Sequence, residues 1–267
     1  MAGMMKQAVA VQGDLDAQDI ANTLWAASFL SIHSPDVASR LTHALEPQIA
    51  ALTALASLDL QQQCQLHQFF VACEVDEAMR AGIPARILAL KDTMGPTCRT
   101  AFVLLATQAS ASQQQVSKAL RRMQLSVEEE ARCPRSGYSL DMLVHHTPVL
   151  GQTDTGTTVG RGGGWAVEFD GPSHFLACGA PTGATLIKRH HLRLLGHALV
   201  SIPYWEWGSM GARADGQAKY LWGKLQSSTA TDSNTTLSPP TGGGKGSSSP
   251  RASNGDDDTL SIYLTGK

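Results

Sequence analysis

The sequence predicts an amino-terminal α-helical region, then a small α/β domain, then a disordered tail. Residues 1–111 are rich in Ala, Leu and Gln, and apolar residues such as Ile20, Leu24 and Ala27 recur every three to four positions. Short alternating runs, typical of strands, dominate residues 112–226. Residues 227–267 are mostly Ser, Thr, Gly, Pro and Asp and offer almost nothing to bury. At 42% hydrophobic residues, the 267-residue chain can form ordinary cores.

The helical pattern runs from Asp16 to about Gln108 and predicts several antiparallel helices, as a helix pair or a solenoid. Proline or glycine is expected to break it at four places. These are Ser34-Pro35, Glu46-Pro47, Gly82 to Pro84 and Gly95-Pro96. A plain helical bundle of no specific function fits the same pattern equally well.

The α/β domain is predicted to begin with a helix from Ser112 to Met123 and to carry a second helix from Thr182 to Leu195. The expected strands are Leu125–Ala131, Tyr138–His146, Trp165–Asp170 and Ala198–Pro203. Between the middle two, the Gly- and Thr-rich stretch from Gly151 to Gly164 is expected to be a mobile hairpin loop. Its sequence VGRGGGW lacks the Lys-Ser/Thr ending of a phosphate-binding loop, so we assign it no nucleotide.

Composition narrows the class of protein. Apolar runs are too short to span a bilayer, and five scattered cysteines without a C-x-x-C pair favour a reducing compartment. The first twenty residues show neither a signal peptide nor an Arg-rich presequence, so the sequence itself predicts no subcellular location. Basic residues exceed acidic ones by three in residues 111–226, whereas acidic residues are in excess by four before and by one after that segment. A weakly basic middle segment permits contact with phosphates.

Three blocks of the α/β domain resemble the RAP domain family, in order and in spacing. They are WAVEFDGPSHF (165–175), TGATLIKRHHLRLLG (182–196) and ALVSIPYWEW (198–207), followed by KYLWGKL (219–225). The helical stretch DAQDIANTLWAASFLS (16–31) more loosely resembles units of octotricopeptide-repeat and FAST-kinase-type proteins. The resemblance implies a protein of mitochondrion or chloroplast that binds single-stranded RNA and acts in the processing, stability or translation of transcripts. It also implies a fold similar to PD-(D/E)XK nucleases.

Two carboxylates of the third predicted strand should share one face, because Glu168 and Asp170 alternate with Val167 and Phe169. Asp141 of the preceding strand could join them, and three carboxylates can hold Mg²⁺. The helical phase aims Lys188 at this group, whereas Arg189, His190 and Arg193 should face solvent.

Two interpretations of this group stay open. In a magnesium-dependent endoribonuclease, Asp141, Glu168, Asp170 and Lys188 would be catalytic, with the three acids as metal ligands. The nuclease motif has lysine two residues after the second acid, however, and here that position holds Asp170. A structural ion pair between Glu168 and Lys188 is therefore favoured. His174 is likewise expected to be a packed, hydrogen-bonded residue.

The remaining candidates concern RNA. Phosphate contacts are expected from basic side chains of the α/β domain, and stacking on unpaired bases from one exposed ring of its aromatic cluster. The basic residues are Arg121, Arg122, Lys188, Arg189, Arg193, Lys219 and Lys224, and the rings are Tyr204, Trp205 and Trp207. The leading hypothesis is a non-catalytic RNA-binding protein without a cofactor; the nuclease, and a structural subunit of an organelle ribosome or RNA granule, are the alternatives.

Overall fold

The computed structural model describes residues 15–49, 58–105, 109–145, 164–211 and 213–229. The predicted loop from Gly151 to Gly164 lies outside these residues except for Gly164, which opens a strand. The predicted disordered tail also lies outside them, except that residues 227–229 end the last helix.

Five helices form the amino-terminal region as described. They are α1 (Ala17–Ser31), α2 (Pro35–Ile49), α3 (Leu60–Val75), α4 (Glu77–Ala81) and α5 (Ala85–Leu104). Asp16 and Asp59 begin α1 and α3 with capping boxes, in which the side chain accepts the N–H three residues on. The helix α3 lies between α1 and α5, and its Leu66 and Phe69 are fully buried in their common core. The helical class of this region is confirmed.

Two of the four expected helix breaks are wrong. The chain does break before Pro35 and at Gly82 to Pro84, but Pro47 lies inside α2 and Pro96 inside α5. Proline removes one hydrogen bond from a helix and costs about 3 kcal/mol there. Only two residues of α2 follow Pro47, and buried Leu45 and Ile49 anchor the helix on both sides of it. Buried Met94 and Cys98 flank Pro96 and anchor α5 on both sides of it.

The α/β part follows the predicted order closely. Its elements are α6 (Ala111–Arg122), β1 (Ser126–Arg132), β2 (Ser139–His145), β3 (Gly164–Asp170), α7 (Gly183–Leu194), β4 (Ala198–Pro203), α8 (Tyr204–Ser209) and α9 (Ala214–Thr229). The sheet has the order β1-β2-β3-β4, with antiparallel pairs except for the parallel pair β3 and β4. The crossover α7 allows that parallel pairing.

Each sheet face contacts a different layer. On one face, Met142, Val167 and Ile202 belong to a core shared with α6 and α9. On the other face, Ala166 and Leu192 of α7 join a buried cluster that also holds side chains of the helical region. These are Cys64, Val71 and Phe102. The helical region and the sheet therefore share a hydrophobic core.

Polar contacts reinforce this junction at the β1–β2 turn. The Arg99 guanidinium donates to the carbonyls of Pro134 and Arg135, at 2.6 Å each. His67 Nε2 lies 2.7 Å from the Ser136 carbonyl oxygen. Because α3 and α5 supply these groups, the turn is held by the helical region.

Candidate functional site

The three predicted carboxylates lie on the sheet face that α7 covers. Alternation along β3 places Glu168 and Asp170 there, and both are buried. Asp141 reaches β3 from β2, where its Oδ2 accepts the backbone N–H of Phe169 at 2.8 Å. The expected grouping of the three acids beneath Lys188 is thus present.

Two cations of α7 pair with two of these acids. Lys188 Nζ lies 2.5 Å from Glu168 Oε2, with 23% and 5% of the side chains exposed. Arg189 Nη2 lies 2.5 Å from Asp170 Oδ2 and donates to Ser201 Oγ at 2.8 Å. Ser201 Oγ also donates to Asp170, so Asp170 is tied to both α7 and β4.

Burial dominates the electrostatics of this network. It raises the pKa of Asp141 to about 6, against the opposing effect of the Lys188 charge. Burial also raises the pKa of Glu168, and the negative charge of Asp141 adds to that shift. For Lys188, burial lowers the pKa, but the charges of Glu168 and Asp141 outweigh it and leave the pKa raised. The network therefore holds Lys188 charged, and the Lys188 charge opposes the rise in the pKa of Glu168.

Under the nuclease alternative, the three carboxylates were expected to be ligands of a metal ion. In the described part of the chain, no group of three or more His, Cys, Asp and Glu side chains could hold a metal ion. Each acid serves a different donor: Asp141 the Phe169 N–H, Glu168 the Lys188 ammonium, and Asp170 the Arg189 guanidinium. The arrangement cross-links α7 to the sheet.

The predicted solvent face of α7 is wrong for two of its three residues. Arg189 points into the network, and His190 Nε2 lies 3.1 Å from Asp76 Oδ2 of the helical region. Conversely Leu194, an apolar residue of the same helix, is 45% exposed. The reason is that α7 is covered on a second side, where Gly183 approaches the Trp25 ring. Arg193 remains exposed as expected.

The other basic candidates lie at the surface. Arg121 is exposed but bonded to Glu129 at 2.6 Å and to the Val127 carbonyl. Arg122 and Lys219 are exposed, whereas Lys224 pairs with Glu206 at 2.7 Å. Arg122, Arg193 and Lys219 are thus the predicted phosphate contacts that lie exposed without a described ion pair.

Two of the three aromatic rings are exposed, where one was expected. Tyr204 and Trp205 are 41% and 44% exposed, whereas Trp207 is buried between the sheet and α9. The short helix α8 starts directly after β4, so successive rings point in different directions. Glu206 further ties α8 to α9 by accepting from the Tyr220 hydroxyl at 2.8 Å. The helix α8, which carries the exposed rings, is therefore held in place by α9.

The exposed rings line a cleft of about 390 Å³. Phe175, in the turn between β3 and α7, also lines the cleft and packs edge-on against Trp205, with ring centroids 4.5 Å apart. The bridge between Phe175 and Pro181 and the left-handed Gly179 (φ +82°) close this turn. Sequence reasoning assigned no role to Phe175 or to the exposed Leu176 beside it. The sequence marked them only as two apolar residues that follow a predicted turn.

Comparison with known families agrees with the resemblance drawn from the sequence. A RAP domain is found at residues 167–223. RAP domains are generally RNA-binding domains. The matched segment runs from β3 into α9 and contains Glu168, Asp170, Lys188 and the rings of the cleft. No curated protein matches the chain. None of the described helices is long and apolar enough to cross a membrane.

Proposed function

We propose that this protein binds single-stranded RNA in the cleft of its RAP domain and acts in the processing, stability or translation of organelle transcripts. The observation that carries the proposal is that Tyr204 and Trp205 are both exposed on α8, a helix that is held in place by α9. Bases of single-stranded RNA are free to stack on such rings, whereas bases inside a duplex are not. The exposed Arg122, Arg193 and Lys219 would supply phosphate contacts.

The helical region is the second part of the proposal. We assign it to helical units of the octotricopeptide-repeat or FAST-kinase type, in a protein of mitochondrion or chloroplast that works within a ribonucleoprotein complex. The helices α1 and α3 pack side by side in the same direction, with Gln62 bonded to Gln18 and Gln68 to Trp25, as equivalent helices of stacked helix pairs do. Because the helical region shares a hydrophobic core with the sheet, RNA bound by the helices and RNA bound in the cleft would be held in a fixed position relative to each other.

We assign the buried network a structural, non-catalytic role in a fold similar to PD-(D/E)XK nucleases. The support is that each acid already has its own donor, and that the two cations are among these donors.

Fluorescence anisotropy with a labelled 20-nucleotide uridine-rich RNA tests the proposed function. Base stacking on an aromatic ring is worth about 1–3 kcal/mol, so Tyr204→Ala, Trp205→Ala should weaken binding at least tenfold. Trp222→Ala is the matched control, because Trp222 is 40% exposed on α9 and does not line the cleft. An unchanged affinity in the double variant would contradict the proposal.

The same RNA, incubated with Mg²⁺ or Mn²⁺, tests the non-catalytic assignment. The parent protein should leave it intact. Cleavage by the parent that a Glu168→Gln, Asp170→Asn variant lacks would overturn the assignment.

A further inference from the structure

A second opening lies beside the helix α8. It is a groove of about 490 Å³, lined by Met210 and by residues of α9, among them Lys219, Tyr220, Gly223 and Lys224. Two of these side chains are cationic, and none of the residues that line the groove is acidic. The groove therefore differs from the aromatic cleft, whose lining residues carry no charge.

The helix α8 connects the groove to the cleft. Its Trp205 lines the cleft, and Met210, the residue directly after α8, lines the groove. Glu206 follows Trp205 in the sequence. It accepts from the Tyr220 hydroxyl at 2.8 Å and pairs with Lys224 at 2.7 Å, and both of these partners line the groove. Because one helix forms the partition, the two openings are about one helix diameter apart, roughly 10 Å.

Lys219 is the cation of the groove that remains available to a ligand. Lys224 is paired with Glu206, and its Nζ also lies 5.4 Å from the centroid of the Tyr220 ring. Burial acts to raise the pKa of Glu206, but hydrogen bonds from Lys224 and Tyr220 outweigh it and leave that pKa lowered. Glu206 therefore stays charged and is matched by Lys224. Lys219 is exposed and has no ion pair with a described residue, so it gives the groove a net positive charge.

Gly223 leaves the groove open. It is exposed, and a Cβ added to it would meet no atom within 4 Å. A ligand can therefore approach the backbone of α9 closely at this position. For the same reason, a larger side chain introduced there would fill the groove without a clash in the fold.

We propose that an RNA strand whose base stacks in the cleft continues across α8 into this groove, where Lys219 binds one of its phosphates. A lysine ammonium binds phosphate as a point charge, and the groove offers that charge beside the partition it shares with the cleft. At about 3.4 Å between successive phosphates of a stacked strand, roughly three nucleotides span the distance. The inference rests on the proposed function and adds the path of the RNA to it.

Probe length separates the groove from the cleft. Unlabelled uridine dinucleotide and octanucleotide compete with a fluorescein-labelled 12-nucleotide oligouridine, and their inhibition constants are compared. The dinucleotide can occupy the cleft but is too short to reach Lys219. In Lys219→Ala, we expect the octanucleotide to bind about two- to fivefold more weakly, as for one exposed ion pair, and its salt slope to fall by about 0.7. The dinucleotide should bind as to the parent. Lys118→Ala is the matched control, because Lys118 is exposed in the same domain and lines neither opening.

A second variant tests occupancy of the groove without changing its charge. Gly223→Leu should melt no lower than the parent, because leucine favours a helix more than glycine does. It should weaken binding of the octanucleotide and leave that of the dinucleotide unchanged. Octanucleotide binding that stays at the parent level in both variants would overturn the inference and leave the groove to a ligand of another class, such as a protein segment. Failure of the parent to bind the 12-nucleotide probe would instead contradict the proposed function.

Discussion

Removing the Lys188 ammonium should destabilise the fold more than removing an exposed charge, and more so as pH rises. In Lys188→Met, Glu168 keeps its buried position, 3% exposed, but loses its cation. It must then take up a proton to avoid an unpaired buried charge. From its ordinary pKa of 4.5, protonating a carboxyl at pH 7 costs about 3 kcal/mol. That is the lower end of the cost of breaking a buried ion pair.

The pH dependence gives this prediction its sharpest test. The folded variant holds a proton that the unfolded chain releases above pH 4.5, so its extra cost grows with pH. Because burial already raises the pKa of Glu168 in the parent, urea unfolding should show a deficit of at most about 3 kcal/mol at pH 7 and below about 1 kcal/mol at pH 5. Lys91→Met is the matched control, because Lys91 and Glu74 are 37% and 41% exposed, and such pairs contribute about 0–1 kcal/mol. Equal deficits at both pH values, or a Lys188→Met deficit no larger than that of the control, would refute the reasoning.

Three further predictions concern the junction and the surface. Burial lowers the pKa of His67 to about 4 and that of His191 to about 3. Both rings therefore stay neutral in the folded protein, whereas the unfolded chain takes up protons below pH 6.5. The stability of the fold should be full above pH 6.5 and should fall as pH drops from there towards 4. Thermal melts at pH 7 and 5 should show a smaller acid loss in His67→Gln than in the parent. Gly137→Ala should cost about 1–3 kcal/mol in urea unfolding, because Gly137 has φ +77° and an added Cβ would lie 2.9 Å from Val103; an unchanged midpoint would contradict this. Arg193→Ala should reduce by about one the slope of log affinity for RNA against log salt concentration, and an unchanged slope would exclude a phosphate contact there.

Local patterns predicted the sheet well because each strand alternates on its own. The strand β3 was expected at Trp165–Asp170 and runs from Gly164 to Asp170. The pairing of Glu168 with Lys188 also followed from two local periodicities, that of a strand and that of a helix. Neither depends on distant parts of the chain.

The surroundings of α7 could not be predicted in this way. A helical stripe identifies one buried face, but α7 is buried on two, because α1 and α3 pack against it as well. Arg189 therefore has the polar sequence context of a surface residue and the contacts of a buried one. Pro96 is a similar case: its local preference is to end a helix, and burial of Met94 and Cys98 overrides it.

The cleft depended on long-range geometry in the same way. Phe175 and Trp205 are thirty positions apart in sequence, and only the parallel pairing of β3 with β4 brings the ends of these strands together. Tyr204 and Trp205 were recognisable as candidates because aromatic residues cluster there. No comparable sequence pattern marked Phe175, whose ring packs against that of Trp205.

Photocrosslinking at 254 nm, followed by mass spectrometry of the crosslinked peptides, tests the central claim most directly. The full chain, bound to a 12-nucleotide oligouridine, should carry the nucleotide adduct on Phe175, Tyr204 or Trp205. Adducts confined to other peptides, or none at a concentration where anisotropy shows saturation, would contradict the placement of RNA in this cleft.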